Sequence, residues 1–399
     1  MHTEKSKTIP LSKPHLETIS RSLRKLQFPE GNAKALYFII LLNLAFTLCR
    51  FQNDLGFIGT IQIPVLLSVL ASFALFKGFN IYWIRPTKVF TLFIAFNFIY
   101  LPFSRFIIDS LVLNDGRAFG VFSQLVRDLF TVIVPLAFVL RTQSGWVWLT
   151  NACILCGIYL GGYAITHGGH GPGGWLLDEN DNCLALNVLF PFAVFRVISS
   201  GRFSTKILAS IASLLLLGGV VATQSRGGFL GIAACGLFLF WKSHKKFQMI
   251  IAGILGIACL LPFIPDQYWE EIRSIQKDAV SNEGTGNERL ESWLIGLRMF
   301  IDPVHIPFGV GMDNAPWNMQ NYDSVVRLMH SKPLAGRQLH STWVQVLSDH
   351  GLWGIYIFYY LLWWKGMGEC KKADKAASRM RKSLDEWTKT HKGEEVSSI

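Results

Sequence analysis

Apolar runs long enough to cross a lipid bilayer recur along most of this 399-residue chain. A membrane-spanning helix needs about 17 to 25 residues, because the hydrocarbon core is about 30 Å thick. We count ten such runs, some of them short or interrupted, and predict an all-α polytopic integral membrane protein with about 10 to 12 transmembrane helices. The runs lie near residues 35–49, 55–76, 89–108, 120–140, 145–165, 183–198, 206–222, 227–241, 248–265 and 341–364.

The charged residues support this prediction by their scarcity and by their positions. Only 16% of the residues are charged, whereas about 25% are charged in an average soluble domain. Most of the 38 Lys and Arg residues lie in the two terminal segments and in the loops that a ten-span count puts on the same side. Short loops rich in Lys and Arg stay in the cytoplasm. We therefore predict that both termini are cytoplasmic and lie near anionic membrane lipids. Because this topology explains the net charge of +11, we expect no nucleic-acid partner.

The chain divides into five predicted segments around one large external loop. They are a cytoplasmic leader (1–34), a transmembrane helical bundle (35–265), the external loop (266–339), a closing transmembrane helix (340–364) and a basic cytoplasmic tail (365–399). Apolar residues recur every three or four positions over 266–280 and 287–300, so the loop is predicted to be partly helical.

Polar residues at membrane depth that do not mark topology are the best candidates for chemistry. Four stretches meet this condition. They are Thr223-Gln-Ser-Arg-Gly-Gly228, Asn287-Glu-Arg-Leu-Glu-Ser-Trp293, Phe308-Gly-Val-Gly-Met-Asp-Asn314, and the stretch from Leu339 to Gly354 that leads into the last span.

Taken in this order, the four stretches resemble the O-antigen ligase superfamily of polytopic membrane glycosyltransferases. The resemblance covers roughly residues 220 to 355. It rests on a Ser-Arg-Gly turn, an Arg and a Trp four residues apart, a Gly-Val-Gly stretch, and a His-Ser followed by Gly-x-x-Gly. The residues that match are Ser225, Arg226 and Gly227, Arg289 and Trp293, Gly309 to Gly311, and His340, Ser341, Gly351 and Gly354.

The resemblance implies a donor glycan on undecaprenyl pyrophosphate, and arginine suits such a donor. A guanidinium keeps its charge near lipid and holds phosphate oxygens bidentately, so Arg226 and Arg289 are expected to bind the pyrophosphate. Each arginine also has an ordinary structural reading: Arg226 as an interfacial anchor, and Arg289 as the partner of a nearby carboxylate. Arg127 beside Asp128 in the fourth run is either a further donor contact or half of an internal ion pair.

Transfer to a sugar hydroxyl needs a base, and histidine accepts protons near neutral pH. His340 stands at the predicted junction between the loop and the last helix, so it is expected to act as the general base of an inverting attack. His350 and His330 are nearby rivals. The supporting residues are Ser225, Gly227, Trp293, Gly309, Gly311 and Ser341.

A metal-dependent reaction is the main chemical alternative. His167, His170, Asp178 and Asp181 lie in one short external loop, and carboxylates can hold divalent ions against diphosphates. Their spacing matches no recognised zinc or calcium pattern. We therefore expect a reaction without metal or other cofactor, and expect this loop to shape the acceptor entrance or to cap a helix.

The resemblance implies a function on the periplasmic face of a bacterial inner membrane. The expected reaction moves the O-antigen glycan from undecaprenyl pyrophosphate to the lipid A-core of lipopolysaccharide. The same residues would serve an O-antigen polymerase or a protein O-oligosaccharyltransferase. A multi-span transporter is a more distant alternative, although the sequence shows none of the internal symmetry that is common in transporters.

Overall fold

The computed structural model describes residues 31–53, 63–78, 85–101, 118–140, 142–199, 202–243, 246–260, 285–322 and 338–390. All longer regular elements in these ranges are helices. They are α1 (Gly31–Cys49), α2 (Ile63–Gly78), α3 (Arg85–Tyr100), α4 (Ala118–Asp128, continuing to Val139), α5 (Gln143–Thr166), α6 (Glu179–Ser199), α7 (Phe203–Ala222), α8 (Arg226–Lys242), α9 (Lys246–Leu260), α10 (Thr285–Ile301), α11 (Ala315–Tyr322), α12 (Thr342–Gly354, continuing as a wider helix over Ile355–Trp364) and α13 (Lys365–Thr390).

The prediction of an all-α polytopic membrane protein is confirmed. Four helices in the described part of the chain are long and apolar enough to cross a membrane, namely Phe119–Val139, Gln143–Thr166, Glu179–Ser199 and Phe203–Ala222. Lys34–Cys49 is a shorter apolar helix. Each of the ten predicted runs overlaps a described helix. The total of ten to twelve spans stays a prediction.

The described residues group into two compact units. The first unit holds α3, α4 up to Leu129, and the chain from Asn287 through α13. The second unit holds α1, α2 and the chain from Phe130 through α9. The five predicted segments stay predictions. The predicted helix at 266–280 and the rival base His330 lie outside the described residues.

Small residues bring the helices of the second unit close together. A Cβ on Gly161 would lie 2.6 Å from the backbone carbonyl carbon and oxygen of Leu215, and a Cβ on Gly219 would lie 3.2 Å from Gly161 Cα. Packing through small residues is typical of helices in lipid, where association depends on close van der Waals contact. Leu160 and Leu186 are fully buried beside this contact between α5, α6 and α7.

In the first unit, an apolar core joins the loop segments to α10. Its buried members are Ile295, Met299, Val310, Ala315, Met319 and Leu339. The predicted helix at 287–300 is confirmed by α10. Ile295 and Met299, four residues apart on one helix face, belong to this core, whereas Leu290, Leu294 and Leu297 are exposed. The core thereby holds Leu339, the residue that precedes His340, in a fixed place.

Candidate active site

His340 is exposed and adopts an unusual backbone conformation. Its φ is +51°, in the left-handed region that costs free energy for a residue with a Cβ. Leu339 before it is fully buried, and Ser341 after it caps α12, with its Oγ accepting from the backbone N–H of Val344 at 3.4 Å. The backbone turns sharply at His340 because both neighbours are held, and the imidazole is left at the surface. A helix therefore begins two residues after His340, and the boundary between an external loop and a membrane-spanning helix stays a prediction.

Trp293 holds the backbone directly before His340. Its indole Nε1–H donates to the carbonyl oxygen of Leu339 at 2.9 Å. Arg289 lies four residues earlier on α10, so it is on the same helix face, one turn away, and its side chain is exposed. The described structure thus brings Arg289, Trp293 and the His340 turn to the N-terminal half of α10.

The contact between α10 and α12 depends on Gly296. A Cβ at this position would lie 2.5 Å from Val344 Cγ1 and 2.9 Å from Ser348 Oγ. Ser348 Oγ donates to the Gly296 carbonyl oxygen at 3.0 Å. The two helices therefore meet through backbone and small groups, and this close packing fixes the start of α12 relative to Trp293.

The predicted supporting residues Gly309 and Gly311 have a structural reason to be glycine. Both have positive φ, +74° and +103°. A Cβ on Gly309 would lie 2.3 to 2.4 Å from backbone atoms of Asp349 and His350. The backbone N–H groups of Val310 and Gly311 donate to the carbonyl oxygens of Ser348 and Asp349 at 2.9 and 3.0 Å.

Gly351 completes this contact by interrupting α12. Its φ of +57° and ψ of −140° are not helical. The break lets the backbone N–H of Leu352 donate to the carbonyl oxygen of Ile306 at 2.9 Å. A Cβ on Gly351 would lie 2.5 Å from that same oxygen. The Gly-Val-Gly stretch and the Gly-x-x-Gly element are therefore two sides of one backbone contact.

Asp349 is a functional candidate that sequence reasoning missed. Its carboxylate is buried and accepts the backbone N–H groups of Asp313 at 3.1 Å and Ala315 at 2.9 Å. These bonds satisfy backbone donors at the start of α11, as an N-cap does. Asp349 thus acts by positioning the loop around residues 309 to 315.

His350, the first rival of His340, is buried. Its Nε2 lies 3.1 Å from Asn97 Oδ1. Asn97 Nδ2 donates to the Phe93 carbonyl oxygen, so Oδ1 is left to accept, and His350 Nε2 carries the proton. The ring also packs against Phe93, with centroids 4.9 Å apart. Its place inside the protein suits a structural role.

Arg127, the weakest donor candidate, forms the expected pair with Asp128. The separation of Arg127 Nε and Asp128 Oδ1 is 3.8 Å, but the Arg127 side chain is 62% exposed. The pair is thus not enclosed between helices of the first unit, and an exposed pair at this distance contributes little free energy.

In the second unit, Ser225 opens α8 and places Arg226 in its first turn. Ser225 Oγ accepts from the backbone N–H of Gly228 at 3.1 Å and donates to Asn180 Oδ1 at 2.8 Å. Arg226 is half-buried, and Gly227 is exposed. The start of a helix is the positive end of its dipole, so this turn suits an anion. The predicted Ser-Arg-Gly turn before a helix is confirmed.

The loop between α5 and α6 packs against this turn. A Cβ on Gly169, whose φ is +94°, would lie 2.4 Å from the Ala222 carbonyl oxygen. Asn182 Nδ2 donates to the Gly169 carbonyl oxygen at 2.7 Å. Asp178 accepts the N–H groups of Asn180 and Asp181, which confirms that this loop caps a helix. No group of three possible metal ligands occurs among the described residues.

Arg50 is a second candidate that sequence reasoning missed. It follows α1 with φ +53°, and its guanidinium contacts the same loop, because a Cβ on Gly174 would lie 3.4 Å from Arg50 Cζ. Its Nε is buried and has no hydrogen-bond partner among the described residues. The loop therefore contacts Arg50 at Gly174 and the start of the Arg226 turn at Gly169.

A comparison with protein families connects these residues to a known group. Residues 211–359 match the family model described as O-antigen ligase. No curated protein and no solved structure matches the sequence. The matched segment contains the Ser225 turn, α10, the Gly-Val-Gly stretch and the His340 turn. Over this segment, which is less than half of the chain, the protein is similar to the O-antigen ligase family.

Proposed function

We propose that this protein transfers an O-antigen glycan from undecaprenyl pyrophosphate to the lipid A-core of lipopolysaccharide. The observation that carries the proposal is the exposed, left-handed His340 held between a buried Leu339 and the cap of α12. Backbone strain of this kind persists only where the surroundings enforce it, and it is concentrated at functional sites. The family match and the apolar helices agree with a membrane glycosyltransferase.

His340 acts in this proposal as the general base. The imidazole takes the proton of the acceptor hydroxyl while the hydroxyl oxygen attacks the anomeric carbon of the donor sugar. The bond between that carbon and the pyrophosphate oxygen breaks, and its electron pair leaves with undecaprenyl pyrophosphate. Attack opposite the leaving group inverts the anomeric configuration. A base with its ring at the surface can meet an acceptor that arrives from water.

Arginines bind the pyrophosphate and stabilise its charge as the bond breaks. Arg289 is suited to this because it is exposed one helical turn from Trp293, which contacts the His340 turn. Arg226 is suited because it opens a helix whose positive dipole end also favours an anion. We add Arg50 to this set, since its guanidinium lies on the loop that contacts the Arg226 turn. Arg127 is the weakest member.

The proposed mechanism needs no metal ion, because the guanidinium groups supply the positive charge that stabilises the leaving pyrophosphate. Glycan transfer that continues in excess EDTA is therefore expected.

We also propose a location in the bacterial inner membrane, with both termini cytoplasmic and His340 on the periplasmic side. The surplus of Lys and Arg in the terminal segments supports this orientation.

A deletion strain examined by lipopolysaccharide gel tests the function, with the intact protein returned on a plasmid as control. Loss of every band that carries O-antigen, with accumulation of lipid-linked polymer, is the expected result. Loss of long glycans with a single repeat still attached would instead identify an O-antigen polymerase. An unchanged gel would contradict both and favour a protein O-oligosaccharyltransferase, which a screen for glycosylated periplasmic proteins would detect.

A further inference from the structure

A cavity of about 290 Å³ lies in the first unit where the last apolar helix meets the tail helix α13. None of the residues that line it belongs to the proposed glycan-transfer site. The principal lining residues are Arg85, Tyr360, Trp364, Lys365, Glu369 and Lys372.

The cavity lies at a sharp change from apolar to charged sequence. Residues 355–364 read Ile-Tyr-Ile-Phe-Tyr-Tyr-Leu-Leu-Trp-Trp, and the charged helix α13 begins at Lys365. Trp and Tyr concentrate at the membrane–water interface, where their rings reach both the acyl chains and the headgroups. Tyr360 and Trp364 are both exposed at this position. This sequence pattern predicts that the cavity lies at the level of the lipid headgroups.

The lining carries a surplus of positive charge whose members are held in place. Glu369 Oε1 lies 3.1 Å from Arg85 Nη1 and 3.1 Å from Lys372 Nζ, so one carboxylate positions two cations. The ammonium group of Lys365 lies 5.1 Å from the centroid of the Tyr360 ring. Three cations against one carboxylate leave a net positive charge for an incoming anion.

We propose that this cavity binds the phosphate of an anionic membrane phospholipid. Arg85 and Lys372 contact the phosphate oxygens, and the rings of Tyr360 and Trp364 lie along the start of the acyl chains. Arg85 also opens α3, whose first N–H groups add positive potential. Basic pockets between membrane helices bind anionic headgroups in the same way. The site is independent of the proposed glycan transfer.

Native mass spectrometry of the full-length protein in detergent tests the proposal by counting bound lipids. The probes are phosphatidylglycerol, phosphatidylcholine and soluble glycerol 3-phosphate. The intact protein is expected to retain phosphatidylglycerol in preference to phosphatidylcholine. In the double variant Arg85→Gln/Lys372→Gln the affinity for phosphatidylglycerol falls about 30-fold, because each cation near a headgroup contributes about a fivefold effect.

Two further variants distinguish lipid binding in the cavity from a general effect of positive charge and from misfolding. Lys375→Gln/Arg379→Gln removes the same charges from exposed positions of α13 outside the cavity, and retains full affinity. Arg85→Lys/Lys372→Arg preserves charge and retains most of the affinity. Equal losses in the two Gln variants would overturn the proposal, since the effect would then belong to the whole tail. Binding of glycerol 3-phosphate as tight as that of the lipid would overturn it as well, because the membrane surface would contribute nothing.

Discussion

Trp293 and Leu339 are joined by a hydrogen bond that spans 46 residues, from the indole Nε1–H to the carbonyl oxygen at 2.9 Å. Leu339 is fully buried, and the next residue is the exposed His340. The bond therefore ties the turn that presents His340 to the middle of α10. It also gives a physical reason for the Arg and Trp spacing in the matched family segment, because Arg289 lies one turn from the residue that holds this turn.

Replacing Trp293 with Phe keeps an aromatic ring and removes the N–H donor. We expect about fivefold slower glycan transfer, because a lost hydrogen bond costs about 1 kcal/mol and leaves the Leu339 carbonyl oxygen without this donor. Initial rates in isolated membranes measure this effect. Trp353→Phe is the matched control, since Trp353 is exposed on the helix beyond the Gly351 break. Equal rates for Trp293→Phe and the intact protein would show that the bond does not position the turn.

Asp349 is expected to stabilise the loop at residues 309 to 315 without touching the substrate. Asp349→Asn keeps the size of the side chain but leaves one of two backbone N–H groups without an acceptor. The loss should be about 1 to 3 kcal/mol, which is the cost of a buried donor left without its acceptor. Hydrogen exchange of the Asp313 to Tyr322 segment should accelerate. The exposed Asp374→Asn serves as control, and unchanged protection in Asp349→Asn would refute the positioning role.

Gly309 should tolerate no side chain. In Gly309→Ala the new Cβ would lie 2.3 Å from the backbone of Asp349, and the positive φ alone costs about 1 to 3 kcal/mol. We expect loss of transfer activity together with a lower thermal unfolding temperature. Gly120→Ala is the matched control, because a Cβ there meets nothing within 4 Å. A fully active and stable Gly309→Ala protein would contradict the packing described for this contact.

Arg226 and Arg50 are each expected to bind the donor pyrophosphate through more than one nitrogen. Lysine retains the charge but not the bidentate geometry, so Arg226→Lys and Arg50→Lys should each weaken donor binding about tenfold. The KM for the lipid-linked donor measures this. Arg202→Lys is the control, because Arg202 lies at the start of α7 and the Ser225 turn follows the other end of that helix. A KM that stays unchanged in Arg50→Lys would remove Arg50 from the donor site.

The stability of the segment from Asp302 to the end of α11 should depend on pH through the Asp302 carboxyl. A hydrogen bond from the Tyr322 hydroxyl, 2.6 Å from Asp302 Oδ2, holds the pKa of this carboxyl below its ordinary value of 3.8. A lowered pKa in the folded state adds stability above pH 3.8, and that stability is lost as the pH falls through the folded-state pKa. Tyr322→Phe should therefore speed hydrogen exchange of this loop at about pH 6, and the difference should vanish below about pH 3. A difference that persists in acid would assign the effect to packing.

Local chemistry made several of these features predictable from sequence. Ser225 and Ser341 precede helices as caps do, and the spacing of apolar residues marked α10. Asp349 was not predictable, because a single carboxylate in an apolar segment gives no sign that its partners are backbone N–H groups 34 and 36 residues earlier. The same holds for His350, whose partner Asn97 is 253 residues away. Arg50 was overlooked because its loop contact depends on how α1 and α5 pack.

The role of His340 as general base can be tested by a variant that carries little risk to the fold. His340→Asn removes the base but suits the left-handed φ of +51°, a conformation that Asn adopts more readily than most residues. Transfer of glycan from the lipid-linked donor to the acceptor is measured in membranes that contain equal amounts of each protein, with His350→Asn as the comparison. If His340 is the general base, the reaction in His340→Asn should be about 100- to 10,000-fold slower with donor binding intact. A His340→Asn protein that transfers glycan at the rate of the intact protein would show that His340 is not the base.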